Sequence, residues 1–330
     1  MPSSRRRFMP ALAALTASLA ACGRRDTASS EVIDDPEAPT EPLFPKTAAG
    51  ELDIHVARLQ KRFLRRGWTV LAEPPFAVVG DGPASQVERH AAMTIRWAVS
   101  RLEAAYFEKP PKEIITIYLF ETDESYARNA RELFGELPDT PYGYYSPADK
   151  ALVMNRRSND NWAIGPAAER PLPRSGRIVM NIGTGGGTLV HEIVHPYMAA
   201  NFPECPSWFD EGLASLYEQS AEQDGHIVGL TNWRLAGLQD ALKAGVVPSF
   251  QVLCETGRGF YEDDPGTNYA QARYLCYWLQ ENGLLRRYYR EFRAKVGIDP
   301  TGYDTLIRMV GPDMDGFRAS WERFVLALVY

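Results

Sequence analysis

The chain has 330 residues, of which 45% are apolar and 24% are charged. That is enough for one large domain or two small ones with a substantial core. The first 21 residues contain three arginines and no acidic residue, so the remainder carries 33 basic against 42 acidic side chains. Residues 22–330 therefore carry a net negative charge and show no cluster of basic residues, so the sequence predicts no nucleic acid partner.

The amino-terminal segment predicts export. Residues 1–21 begin with three arginines and continue as an apolar run that is too short to span a bilayer, which is typical of a signal peptide. The ending "LAAC" at 19–22 is similar to the cleavage motif of bacterial lipoproteins, in which the sulfur of Cys22 would receive a diacylglycerol. An ordinary signal peptide is the alternative. The segment thus predicts a lipid anchor in a membrane and a place in the bacterial cell envelope, facing the periplasm or the cell surface. The stretch "SRRRFM" also favours twin-arginine export.

The next two segments differ in composition. Residues 22–50 are rich in Pro, Ala, Asp, Glu, Ser and Thr and predict a disordered tether after the lipidated cysteine. Residues 51–185 predict a mixed α/β half, since helical and strand-like apolar periods alternate there. The expected helices are 51–66, 86–107 and 123–135, and the expected strands are 76–81, 113–122, a hairpin over 142–155, and 177–182.

Residues 186–330 predict a helical half. Helices are expected near 187–202, 207–222, 231–243, 268–282, 284–296, 301–310 and 315–329. The fold class is therefore predicted as α+β, with a mixed sheet and helices in the N-terminal half. Cys276 lies in an apolar helical run and is expected to be a buried thiol, whereas Cys205 and Cys254 are candidates for a disulfide.

The stretch "GTLVHEIVHPYM" at 187–198 contains H-E-x-x-H. On a helix, His191 and His195 share one face about 6 Å apart, so both imidazoles can reach one ion such as Zn²⁺. Glu192 lies about 100° around the helix, where it can contact a water on the metal without ligating the ion. The alternative is a pair of core histidines. The glycine-rich run at 183–188 lacks the lysine of a phosphate loop and predicts a turn that leads into this helix.

A third ligand is expected from "ECPSWFDEGLASLYE" at 204–218. Hydrolytic zinc needs three protein ligands and one open position, and Glu211 can supply the third. Asp210 is the competing candidate. Gly212 removes a side chain where this second helix is expected to lie against the first.

H-E-x-x-H followed by the glutamate of W-F-D-E-G-L-A, sixteen residues after the second histidine, resembles the gluzincin metallopeptidases. It is most similar to the peptidase MA-like families of secreted bacterial proteins. The resemblance implies a zincin-like fold, a peptide or protein substrate, and zinc held by His191, His195 and Glu211. It also implies that Glu192 is the general base and that Tyr269, at the head of a C-terminal helix, is the oxyanion donor. Packing in the core is the alternative for Tyr269.

The sequence departs from the gluzincin pattern at Ser215, where thermolysin-like enzymes carry an acid that orients a histidine. Orientation must then come from Asp210 or a backbone carbonyl.

Pro196 predicts a bend after the second histidine. The hairpin strand near 150–155 is a candidate edge for pairing with substrate. The rival functions are a catalytically silent zinc-binding envelope lipoprotein that binds peptide or cell-wall material, and a scaffold whose histidines only pack.

Overall fold

A mixed five-stranded sheet organises the N-terminal half of the fold. The computed structural model describes residues 49–135, 137–138, 140–156 and 184–330. The first elements are α1 (Ala49–Phe63) with a 3₁₀ turn (Leu64–Arg66), β1 (Thr69–Glu73), β2 (Phe76–Gly80), α2 (Ala84–His90), a π-helical turn (Ala91–Arg96) and α3 (Trp97–Ala105). They continue as β3 (Thr116–Phe120), α4 (Asp123–Phe134), β4 (Gly143–Ser146) and β5 (Ala151–Asn155).

The strand order β1-β2-β3-β5-β4 places parallel strands in the centre and an antiparallel strand at each edge. Both faces of the central strands are buried, because successive side chains point to opposite faces. Ile117 and Leu152 are paired neighbours on the face that joins the main core. Tyr118 and Val153 point to the other face, where α1 and α4 cover the sheet.

The C-terminal half is mostly helical. It comprises α5 (Thr184–Asn201), α6 (Ser207–Leu216), the hairpin β6 (Ser220–Gln223) and β7 (His226–Gly229), α7 (Arg234–Ala244), α8 (Phe250–Glu255), α9 (Gly259–Glu262), α10 (Pro265–Glu281), α11 (Leu285–Lys295), α12 (Tyr303–Val310) and α13 (Met314–Ala327). Val190 and Ile193 of α5 belong to the same core as Ile117 and Leu152 of the sheet. The two halves therefore share one core, and the predicted α+β class is confirmed.

The β6–β7 hairpin interrupts the region predicted to be helical. The helix expected over 207–222 ends at Leu216, and the chain then turns back through Asp224 and Gly225, which have φ values of 50° and 78°. An Asp-Gly pair in this left-handed conformation is a strong hairpin signal. Gln280 holds the hairpin against α10, since its side chain bonds both the N–H and the carbonyl of Gly229 at 2.6 and 2.9 Å.

Other predictions need smaller corrections. Strand β1 and helices α8 and α9 were not expected, and α5 already begins at Thr184, so the glycine-rich run is not a turn outside the helix. Helix α5 includes Pro196 and ends at Asn201, and the bend expected at Pro196 stays a prediction. Gly212 makes its close approach to the backbone of Ala272 on α10, and not to α5. The signal peptide, Cys22, the tether up to residue 48 and the strand at 177–182 lie outside the described residues.

The cysteines of the helical half are free thiols. Cys254 and Cys276 are buried and Cys205 is half-buried. The candidate bridge between Cys205 and Cys254 is therefore wrong, and the buried Cys276 is confirmed. Within the described ranges, no helix combines the length and apolar character needed to cross a membrane.

Gly187 marks a close contact between α5 and the chain that leaves α6. A Cβ on this residue would lie 1.8 Å from the carbonyl oxygen of Glu218. Backbone atoms cannot move aside as the end of a long side chain can. The missing side chain thus lets residue 218 lie directly beside the face of α5 that carries His191, one turn further along.

We expect Gly187→Ala to destabilise the metal-free protein by about 3 kcal/mol, because overpacking outweighs the gain of up to about 1 kcal/mol that alanine normally brings in a helix. Urea unfolding followed by circular dichroism measures this. Gly237→Ala in α7 is the matched control, since its Cβ would meet nothing within 4 Å, and it should stabilise. A neutral or stabilising Gly187→Ala would contradict the close contact.

Candidate metal centre

Three side chains of the sequence motif converge between α5 and α6. The Nε2 atoms of His191 and His195 lie 3.2 and 3.8 Å from Oε2 of Glu211. One ligand atom from each of the three residues lies within 4.8 Å of the other two. The predicted ligand set is thus brought together, and Glu211, rather than Asp210, occupies the third position.

The chemistry of this group fits a cation. Glu211 is buried, and its Oε2 pairs with the Nε2 atoms of both imidazoles. A buried carboxylate is costly unless it is paired, and a cation would pair with Oε2 and with both Nε2 atoms at once. Two imidazoles and one carboxylate suit zinc, although other divalent transition metals accept the same ligands.

The outer nitrogens of both histidines face carboxylates. Nδ1 of His195 lies 3.2 Å from Oδ2 of Asp210, and Nδ1 of His191 lies 3.4 Å from Oε1 of Glu218. Such outer partners fix the tautomer and direction of a ligating imidazole. Asp210 thus lies where the sequence placed one candidate for the orienting partner. Glu218 was not foreseen, because it follows the end of α6, where the sequence predicted more helix.

Glu218 is itself held firmly. Its carboxylate accepts two hydrogen bonds from Arg234, at 2.8 and 3.0 Å, and one from Asn232 at 2.9 Å. Burial alone would raise its pKa, but His191 and Arg234 outweigh that effect and lower the pKa of Glu218 to about 2. The carboxylate behind His191 is therefore ionised at neutral pH.

Without a metal, His191 and His195 hold their protons to higher pH than ordinary histidines do. Burial opposes a charge on His191, yet the carboxylates of Glu211 and Glu218 raise its pKa well above the ordinary value. The pKa of His195 is also raised, with Asp210 overcoming the effect of burial. For Glu211, the two histidines outweigh burial and lower the pKa to about 2. Without metal, the imidazoles are thus the positive partners of these acids.

We expect zinc binding to release protons and to strengthen as pH rises. Metal ligation needs neutral imidazoles, and the raised pKa values keep protons on them above pH 6.5, so acid weakens binding. Affinity should still rise above pH 7, by up to about tenfold per pH unit for each proton displaced. Calorimetric titrations in buffers of different ionisation enthalpy measure the released protons. Affinity that levels off below pH 6.5 would contradict this.

Glu192, the predicted general base, lies half-buried on α5 between the two histidines in sequence. Burial raises its pKa, while the positive charges of His191 and His195 lower it in part. A carboxyl group with a raised pKa is better matched to proton transfer near neutral pH than an ordinary one.

Two tyrosines border Glu211. Tyr269, the predicted oxyanion donor, lies near this carboxylate: burial and the charge of Glu211 raise the pKa of Tyr269, and the guanidinium of Arg234 lies 5.1 Å from its ring centroid. Tyr261 on α9 donates its hydroxyl hydrogen to Oε1 of Glu211 at 3.2 Å. Burial, with the nearby charge of Glu211, raises the pKa of Tyr261 to about 12, so its hydroxyl stays protonated. Tyr261 had no motif to identify it, since only the fold brings α9 to this site.

The sheet edge nearest the centre is β4. Strand β5, which the sequence suggested for substrate pairing, is bonded on both sides by β3 and β4. Among the described strands, β4 has a neighbour on one side only and packs against α5. The suggestion for 150–155 is therefore wrong, because an inner strand has no unpaired backbone groups to offer.

No protein-family model matches the chain, and no curated protein matches its sequence.

Proposed function

We propose that the protein is a zinc-dependent metallohydrolase, and specifically a peptidase. The observation that carries this proposal is the convergence of Nε2 of His191, Nε2 of His195 and Oε2 of Glu211. Three protein ligands of this kind leave a coordination position open, as hydrolytic zinc sites do and closed structural sites do not. Glu192 stands next to the first ligand in sequence, on the same helix.

When bound, zinc would supply Lewis-acid catalysis by polarising water and the substrate carbonyl. Glu192 would accept a proton from the attacking water and deliver it to the leaving amine. Asp210 and Glu218 would keep the two imidazoles aligned through their Nδ1 atoms. Tyr269 lies close enough to Glu211 to be a hydrogen-bond donor toward developing negative charge, as the resemblance implies.

We further propose that the enzyme acts in the bacterial cell envelope on peptide or protein substrates, anchored through a lipid on Cys22. The signal-like run before this cysteine supports the location. The resemblance to secreted gluzincins supports the substrate class.

Zinc stoichiometry together with cleavage of a mixed peptide library tests the function. We expect one zinc per chain and cleavage that a chelator abolishes and added zinc restores. Stoichiometric zinc without cleavage of any peptide would favour the silent zinc-binding lipoprotein. Absence of zinc would leave a scaffold whose histidines only pack.

A further inference from the structure

The two oxygens of Glu211 have different surroundings. Oε2 faces the Nε2 atoms of His191 and His195, at 3.2 and 3.8 Å. Oε1 points the other way and accepts a hydrogen bond from Tyr261 at 3.2 Å. Oε2 thus lies on the side of the two histidine ligands, whereas Oε1 is bonded to Tyr261.

We propose that Tyr261 is a positioning residue that keeps Glu211 a one-oxygen ligand. This inference rests on the metal site of the proposed function. A carboxylate beside a cation can bind through one oxygen or through both. The phenol of Tyr261 holds Oε1 and so leaves only Oε2 for the ion, which preserves the coordination position that a hydrolytic site needs.

The surroundings of Tyr261 fix its hydroxyl in this direction. The side chain of Ser207, in the first turn of α6, lies beside the Tyr261 hydroxyl. The ring packs against Phe260 and Tyr269, with centroids 5.4 and 6.4 Å away. Since its hydroxyl hydrogen is directed to Glu211, the phenol oxygen is left to accept from Ser207.

Tyr261 is also the more accessible of the two tyrosines. Tyr261 is 46% exposed as a residue, whereas Tyr269 is half-buried and has Arg234 over its ring. Loss of the Tyr261 hydroxyl therefore removes a hydrogen bond to the ligand and leaves no cavity in the core. The substitution Tyr261→Phe isolates the positioning role from folding.

Visible absorption of the cobalt-substituted protein tests the proposal, because Co²⁺ reports coordination number and takes the same ligands as zinc. We expect the wild type to show the strong absorption of a four-coordinate ion. In Tyr261→Phe, Glu211 is expected to bind through both oxygens, so more than half of that visible absorptivity should be lost at unchanged cobalt stoichiometry. Tyr277→Phe, on α10 beside Tyr274 and Phe324, is the matched control and should keep the wild-type spectrum.

A second variant, Ser207→Ala, keeps the test decisive if Tyr261→Phe fails to fold. Ser207→Ala leaves Tyr261 in place but removes its orienting partner, and it should shift the spectrum in the same direction by a smaller amount. A wild-type spectrum in Tyr261→Phe, or a five-coordinate spectrum in the wild type, would overturn the role of Tyr261 while leaving the metal site intact. A wild type that binds no cobalt and no zinc would overturn the metal site, and this inference with it.

Discussion

Replacing Glu192 by glutamine is expected to lower the rate of peptide cleavage by about 10²- to 10⁴-fold while the protein keeps its zinc. The amide has nearly the shape of the carboxylate but cannot accept the proton. Glu192 is not among the three groups that converge on the cation position, so metal content should not change. Rates on a cleaved library peptide, with zinc measured on the same samples, give both quantities.

Glu88→Gln is a suitable control for Glu192→Gln, because Glu88 is exposed on α2 and the substitution removes the same charge. It should cleave at the wild-type rate. A fully active Glu192→Gln would show that another group moves the proton, and a variant that loses zinc would make Glu192 a ligand rather than a base.

His191→Ala is expected to remove stoichiometric zinc. The substitution deletes one of three ligands, so the loss of affinity should exceed the roughly 100-fold that changes to outer partners produce. It also leaves the carboxylates of Glu211 and Glu218 without the imidazole that they share. Zinc content after gel filtration, compared with competition titrations against a chelator, measures the effect.

His226→Ala provides the comparison for His191→Ala. His226 is half-buried on β7 and contacts Arg286 at 3.0 Å, and its loss should leave zinc at one per chain. Circular dichroism of both variants separates loss of metal from loss of fold. If His191→Ala retained stoichiometric zinc, the cluster between α5 and α6 would not be the site that binds it.

The ligands could be predicted from the sequence because helix geometry fixes how His191 and His195 relate to each other. Glu211 followed from a motif at the start of the next helix, and the structure brings it to both histidines. The central strands and the α+β class followed from apolar periods long enough to be unambiguous. These features depend on the spacing of residues that are close in the chain, and such spacing can be read from a single sequence.

Glu218 and Tyr261 could not be predicted because their positions depend on how distant segments pack. The chain leaves helix α6 earlier than its apolar period suggests, and the close contact at Gly187 then sets Glu218 against α5. Tyr261 reaches Glu211 from a four-residue helix fifty positions away. The Asp-Gly pair at 224–225 was a readable signal for the hairpin, and it would have shortened the predicted helix.

The carboxylates behind the two histidines differ in how firmly they are held. Glu218 is buried and fixed by Arg234 and Asn232, whereas the side chain of Asp210 is 27% exposed. Solvent can therefore reach Asp210, the partner of His195, more readily than Glu218, the partner of His191. Demetallation by acid or chelator should accordingly be stepwise, with His195 dissociating first and the ion held briefly by His191 and Glu211 before it escapes.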